Sequence, residues 1–422
     1  MSATGLPPAA ELQQQTPFAD SIPSGTSSGP TVPLANDTNV ALVSARDLDH
    51  HLADWQDLAA HAAQPNVFLE PWFLRPAIEA FAGATDLRFA LVYRPSTRQD
   101  TPPLLCGLFP LEQDRRWKKL PLRVWRLWRH DYSFLSTPLV RAGHEADCLN
   151  GLLDAIEAEQ GGPALLELPN VDGAGPFHRG LVEVLGQRSS NAFCLSELNR
   201  AILETGGDWQ QYVVDSLTSH NRRELRRQRR RLADQGDITV RISEGTEFTD
   251  YWMEQFLRLE ADGWKGKAGT AIGLDGTHRQ FFHEITHAAA QRGQLMLLGL
   301  FLNNEPIAMK WNFRSGEGSF AFKIAYDESF AKFSPGVHLE IENIRLLHQQ
   351  PDIRWMDSCA VPQHFMINRL WRQRRTIRHL LISTGRLSGD AVVALAPLAR
   401  VLRRRWRSIR HTGTARPNAP TS

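Results

Sequence analysis

Hydrophobic and polar positions follow one order twice along this chain. In the first stretch, helical spacing over residues 57–62 and 71–81 precedes alternating strand patterns over 87–93 and 104–111. Further strand is predicted over 122–128 and 134–140. Leu149, Leu152, Leu153 and Ile156 fall on one face and predict an amphipathic helix over 145–159. A strand over 164–168, a helix over 177–185 and a strand over 192–198 complete this stretch. The second stretch begins with helices over 209–214, 222–232, 251–262 and 277–292. Three strands follow over 294–302, 307–314 and 319–326, joined by Asn303-Asn304-Glu305 and Ser315-Gly316-Glu317-Gly318. A helix over 335–348, a strand over 353–359, a helix over 365–373 and a strand over 376–383 close the pattern. The shared order is helix, helix, meander, helix, strand, helix, strand. It predicts an α/β (α+β) protein of two tandem halves, each a mixed sheet flanked by helices.

Length agrees, since 422 residues exceed one ordinary core. The halves are placed at 39–204 and 205–385. Residues 1–38 hold Pro, Ser, Thr, Gly and Gln without an apolar core, and are read as a disordered tail with no targeting signal. Residues 386–422 are read as a basic tail. The net charge of +2 excludes a polycationic chain, so any nucleic-acid or membrane role must come from local clusters. Two clusters exist. Arg222, Arg223, Arg226, Arg227, Arg229, Arg230 and Arg231 are opposed only by Glu224. They form either a solvated connector or a contact for phosphates, RNA or acidic lipid. Arg400, Arg403, Arg404, Arg405, Arg407 and Arg410 surround Trp406 beside the short apolar run 391–402. They form either a solvated tail or a helix lying on an anionic membrane surface. No apolar run is long enough to span a bilayer. Four scattered cysteines without a CxxC pair give neither a zinc knuckle nor a disulfide framework, which fits a reducing cytoplasmic setting, extending to the inner membrane face if the tail binds there. His283 and His287 stand one helical turn apart without an HExxH pattern; they are read as solvated or capping, and no metal is expected.

The sharpest local signal is Phe333-Ser334-Pro335-Gly336. Ser334 suits an N-cap, Pro335 the first helical position, and Gly336 allows close approach to the backbone. The helix starts just after the meander, so its dipole and free amides face the mouth of the sheet, where a phosphate would bind. Plain capping explains the same tetrapeptide.

Several segments together resemble one family. They are Glu260-Ala-Asp-Gly-Trp264-Lys265-Gly266-Lys267, Gly299 to Ala308, Tyr326-Asp327 with Phe333-Ser334-Pro335-Gly336 and Leu339, and Asp357 at a strand end. The chain resembles the GNAT-like acyltransferases of the CelD and BioF2 type, over about residues 216–382. Asn66-Val-Phe-Leu-Glu-Pro-Trp72-Phe is similar to that family's N-terminal half. The resemblance implies tandem GNAT-like domains, the architecture also of the FemABX transferases. It implies acyl-CoA, with acetyl-CoA foremost, as co-substrate, held by Phe333, Ser334, Gly336, Val337 and His338. It implies an acceptor amine or hydroxyl on a sugar, polysaccharide or envelope precursor. The pattern departs in two places: the phosphate loop is reduced to Ser334-Pro335-Gly336, and Trp371 is kept without a preceding lysine.

Acyl transfer needs deprotonation of the acceptor, a polarised thioester and a proton for the thiolate. Asp357 is the first candidate base, with a structural carboxylate as the alternative. Tyr326 is a candidate proton donor or a packed tyrosine. Lys323, on the same side as Ala325, meets an anionic acceptor or solvent. Trp264 and Lys265, flanked by Gly263 and Gly266, offer an aromatic face and a cation to an acceptor, or mark a helix end. Cys359 lacks a histidine partner for nucleophilic chemistry. Two further readings remain: transfer from aminoacyl-tRNA, which explains the arginine cluster, and a catalytically degenerate accessory subunit of exopolysaccharide synthesis.

Overall fold

Asn303 and Asn304 both adopt positive φ (50° and 70°), the left-handed pair a tight hairpin requires, and they turn the second-half meander as their sequence predicts. A computed structural model describes residues 38–96, 102–243 and 245–412, with side chains as far as 402. The disordered tail expected over 1–38 therefore lies almost wholly outside the described residues. The first stretch runs β1 (Asn39–Ser44), α1 (Leu52–Ala60), α2 (Pro71–Phe81), β2 (Leu87–Arg94), β3 (Leu104–Asp114), β4 (Val124–Leu127), β5 (Leu139–Val140), α3 (Glu145–Ala158), β6 (Leu165–Asp172), α4 (Pro176–Gln187) and β7 (Ala192–Glu204). The second runs α5 (Trp209–Ser216), α6 (Ser219–Ala233), β8 (Ile238–Ser243), α7 (Thr249–Asp262), α8 (Trp264–Lys267), α9 (Gly276–Gln291), β9 (Leu295–Leu302), β10 (Glu305–Ser315), β11 (Gly318–Tyr326), α10 (Pro335–Gln349), β12 (Trp355–Asp357), α11 (Phe365–Leu370), β13 (Gln373–Ser383) and α12 (Leu387–Thr412).

Among the described residues, thirteen strands join one mixed sheet in the order β1-β2-β3-β4-β6-β13-β7-β12-β11-β10-β9-β8, with β5 on β3. The order reads alike from either edge. Each half has one parallel pair, β4 with β6 and β11 with β12, of three registered positions each. Each half then takes its next strand from the other: β13 pairs β6, and β7 pairs β12, both antiparallel. The exchanged strands pair with one another along the midline.

Five elements, among others, differ from the sequence reading. Edge strands β1 and β8 were not anticipated; neither is buried on both faces, so neither shows a continuous apolar run. The strand expected over 134–140 shrinks to Leu139–Val140, because Tyr132 and Phe134 turn inward and pack their rings on Phe322. The strand expected over 353–359 keeps only Trp355–Asp357. The tail from residue 386 begins as helix α12, although no described helix is long and apolar enough to cross a membrane.

The main core crosses between the halves. Phe68 and Phe73 of the first half meet Phe281, Phe313, Phe320 and Phe322 of the second, edge to face. Burial of each such ring contributes about 1.5–3 kcal/mol. Glu70 supports this contact from within. Its buried carboxylate accepts Trp72 Nε1 and Gln294 Nε2, each at 2.8 Å, and the Ser315 hydroxyl. Burial raises its pKa even though all three donors oppose the shift.

Candidate functional site

β11 and β12 are paired only from Gly318 to Phe320, and β11 then continues to Tyr326 paired with β10 alone. The sheet therefore parts beyond Phe320. A 3-10 turn leads from this end into α10, whose first residues sit over the parted strands. A Cβ placed on Gly336 would meet nothing closer than Tyr326 Cδ1 at 3.6 Å, then Ile324 Cδ1 at 3.8 Å and Met366 Sδ at 3.9 Å. The tip thus packs on β11 and α11 at ordinary contact distance, with Gly336 buried. A groove of about 80 Å³ lies beside it, lined by Ser334, Val337, Asn221, Leu225, Met366 and Arg369, among others. The counterpart helix α3 carries Glu145 and Asp147 in its first turn, which repel an anion.

Ser334 departs from expectation. It precedes the helix with φ 52° and ψ 51°, and its hydroxyl makes no capping bond. Its carbonyl instead accepts the amides of Val337 (3.0 Å) and His338 (3.2 Å). Phe333 is a core residue, packed near Phe330 under the Lys332 ammonium. His338 is buried with Nε2 unpartnered. Burial, helped by the charge of Arg229, depresses its pKa to about 4, so it is neutral near pH 7.

Tyr326 borders two spaces. Its ring edge faces Gly336, and it also lines a cleft of about 380 Å³ with Asp262, Lys267, Glu305, Asp327 and Glu328. Lys267 engages Glu328 at 2.6 Å, and Arg258 approaches Glu305 at 3.6 Å, so the carboxylates outnumber the cations.

Lys323 and Lys265 lie on the opposite side of β11. A register shift between Trp311 and Asn312 leaves Phe322 as an extra residue, so Phe322 and Lys323 do not alternate across the strand. Both reach Tyr132, Lys323 with its ammonium 5.1 Å from the ring centre. Glu260, buried on α7, accepts Lys265 Nζ at 2.8 Å and the Ile272 amide at 2.8 Å, and stands 4.0 Å from Lys323 Nζ. Tyr132 Oη meets His278 Nδ1 at 2.9 Å. Sequence reasoning missed Glu260, Tyr132 and His278 as one group, because they come from distant segments. Lys265 is engaged by Glu260 rather than free, and Trp264 opens a short helix with 57% of its surface exposed.

Burial, reinforced by the Lys265 charge, lowers the Lys323 pKa to about 8. The unfolded chain then holds more protons between about pH 8 and the free-lysine value of about 10.4, so this residue makes stability rise with pH across that window. Lys323→Met should therefore raise the unfolding midpoint, most below pH 8 and progressively less above it. Thermal unfolding across pH 7–10 measures this; a loss of stability at pH 7 would contradict it.

Asp357 is fully buried. Arg200 and Arg375 each donate to its Oδ2 at 2.7 Å, and the Cys359 amide donates to Oδ1 at 2.9 Å. Burial raises its pKa, but the two guanidiniums and the amide outweigh this and hold it below the ordinary value. A carboxylate so held is a poor base near neutrality. Arg200 and Arg375 also face one another in the β7–β13 register, and Arg375 Nε reaches Asp172 Oδ2, at the end of β6, at 3.0 Å. Asp172 and Asp357 thus close the two inner strands symmetrically onto midline arginines, which is a structural task. Beside it, burial and the Asp357 charge raise the Cys359 thiol well above its ordinary pKa, which does not suit a nucleophile.

The structure thus groups Tyr326, Ser334, Gly336 and Val337 at the tip. Lys265 and Lys323 fall behind β11, and Asp357 lies at the midline. The domain model for the GNAT acetyltransferases matches residues 219–365, from the first residue of α6 to the first of α11. This chain carries a GNAT-type acyltransferase domain. The crystal structure of FemX shares the fold of this chain, at 12% identity and a TM-score of 0.50, covering 82% of this chain and 96% of FemX. Two other solved structures are similar at lower scores. A tandem GNAT protein from the clavulanic acid biosynthesis pathway has 12% identity and a TM-score of 0.40, covering 83% of this chain and 99% of its own. The C-terminal domain of a putative lysylphosphatidylglycerol synthetase from Agrobacterium fabrum has 14% identity and a TM-score of 0.46, covering 82% and 94%. No curated protein matches the sequence.

Proposed function

We propose that this acyltransferase takes its acyl group from acyl-CoA and delivers it to an amine or hydroxyl of a sugar, polysaccharide or envelope precursor. The observation that carries this reading is the α10 tip, where Gly336 meets only the side chains of Tyr326, Ile324 and Met366, set where β11 leaves β12. Helix polarity there suits a diphosphate. The parted strands give an extended arm a path into the sheet. The acidic cleft beyond Tyr326 favours a cationic acceptor, so an amine is preferred. In the reaction the acceptor nitrogen attacks the thioester carbon, the C–S bond breaks, and Tyr326 gives its proton to the departing thiolate. Solvent or a carboxylate of the cleft takes the proton from the nitrogen.

A thiol-release assay with a panel of acyl-CoAs and candidate amines tests the reading. Tyr326→Phe should lower kcat about 100-fold with acyl-CoA affinity preserved. Absence of acyl-CoA binding by calorimetry would reject the proposal.

Helix α6 favours a second reading, transfer from aminoacyl-tRNA. Its inner face lines the tip groove through Asn221, Glu224, Leu225 and Gln228, while Arg223, Arg226, Arg227, Arg230 and Arg231 are exposed. This predicts tight tRNA binding that weakens steeply with salt. Filter binding that finds only weak, length-independent affinity eliminates it.

Helix α12 supports an acceptor held near a membrane. Arg400 packs on Phe193 and donates to the Cys194 carbonyl, while Leu395, Leu398, Val401 and Leu402 are exposed. The sequence then adds Arg403, Arg404 and Arg405. The protein should co-sediment with vesicles containing anionic lipid and not with neutral ones, and Leu395→Glu with Leu398→Glu should release it. Equal recovery with both vesicle types would remove this part of the proposal.

A further inference from the structure

Away from the acyl-transfer site, α7 and α9 bring three ligand-type side chains together. His287 Nε2 lies 2.8 Å from Asp250 Oδ1, and His283 Nε2 lies 3.8 Å from the same oxygen. The two imidazoles are 4.3 Å apart at their centres. All three donor atoms fall within 4.8 Å of one another. We propose that Asp250, His283 and His287 form a binding site for a divalent transition metal of the zinc, nickel or copper class.

The geometry fits such an ion. Metal–ligand bonds of 2.0–2.1 Å at tetrahedral angles separate ligand atoms by about 3.3 Å. One observed separation is shorter than this and the other longer, so small side-chain rotations bring both to the required value. Spacing of four residues places His283 and His287 on one face of α9. Asp250 comes from the first turn of a different helix, so the third donor is not a by-product of local sequence. Two imidazole nitrogens and one carboxylate oxygen suit zinc, nickel or copper rather than calcium or magnesium, which prefer all-oxygen sets. The three groups face solvent, with side chains 54% (His283), 31% (His287) and 74% (Asp250) exposed. An ion can enter without rearrangement, and water can fill the fourth position. The site lies at the start of α7, while Glu260 and the link to Trp264 lie at its other end. Its role is to tie α7 to α9 rather than to take part in acyl transfer. The spacing of the histidines alone reads as solvated; it is Asp250 that turns the pair into a converging set.

Calorimetry with zinc chloride on the untagged, metal-stripped full chain tests the proposal, with cobalt(II) absorption as a second readout. We expect one ion per chain, the visible bands of tetrahedral cobalt, and an unfolding midpoint that rises with zinc. Asp250→Asn should weaken binding roughly tenfold or more. His283→Ala with His287→Ala should abolish both the cobalt bands and the zinc-dependent rise. The metal-free midpoint of that double variant, unchanged from wild type, shows that its fold is intact. No saturable binding, or binding that survives in the double variant, overturns the assignment.

Discussion

Gly336→Trp should weaken acyl-CoA binding at least about 100-fold, equivalent to about 2.7 kcal/mol. The first atoms beyond a Cβ at this position lie at 3.6–3.9 Å, which is ordinary contact distance. Alanine should therefore be accepted with little change. Indole, by contrast, has to occupy the space between the α10 tip, Tyr326 and Met366, which is the space the diphosphate would need. The position is within a helix, so the substitution introduces no backbone conflict. Calorimetric titration of Gly336→Ala and Gly336→Trp with acetyl-CoA separates a steric block from unfolding. Unchanged affinity in Gly336→Trp would move the cofactor elsewhere and with it the role given to Tyr326.

The largest effect on stability is expected one turn further along the same helix. Glu340 is fully buried and holds Lys310 at 2.7 Å, Trp371 Nε1 at 3.0 Å and Asn343 Nδ2 at 2.9 Å. Lys310, in mid-β10, is buried as well. Glu340→Ala leaves that ammonium without its counter-ion and two further donors without an acceptor. The expected loss is about 3–5 kcal/mol of unfolding free energy. Lys310→Met combined with Glu340→Leu should recover part of it, since the stranded charge is then gone while Trp371 and Asn343 still lack their acceptor. Denaturant unfolding of the single and paired variants gives the comparison. A single variant within about 1 kcal/mol of wild type would show that water reaches this pair. The network fixes α10 to β10 and Trp371 to α10, so the partial rescue should also restore acyl-CoA affinity if its task is to hold the tip in place.

How much of this was legible beforehand depended on the range of the interaction. Pro335 announced the start of α10 and the asparagine pair announced the β9–β10 hairpin, because φ preferences act within a few residues. The repeated element order gave the two-part architecture for the same reason. Roles that depend on partners brought in by the sheet were not legible. Asp357 read as a strand-end carboxylate that was either a base or structural; Arg200 and Arg375, which neutralise it, come from two other strands. Ser334 had the identity of a capping residue, but the preceding turn forces it into a left-handed conformation that carries its hydroxyl off the helix axis. The β11 bulge that aims Lys323 at Tyr132 has no signature in local alternation. For the acyl-transfer site proposed above, Tyr326 and Gly336 were within reach of sequence because they lie at the two ends of one short connection.

The traded strands β7 and β13 also set a timetable for synthesis. β6 leaves the ribosome long before β13, its neighbour, has been translated, and until then its edge offers unsatisfied amides and carbonyls to any passing strand. β7 emerges soon after β6, yet both of its neighbours, β12 and β13, lie more than a hundred residues downstream. The nascent first half thus waits incomplete for β13, and a chain stopped short of residue 373 should be caught by chaperones or aggregate rather than yield a usable fragment.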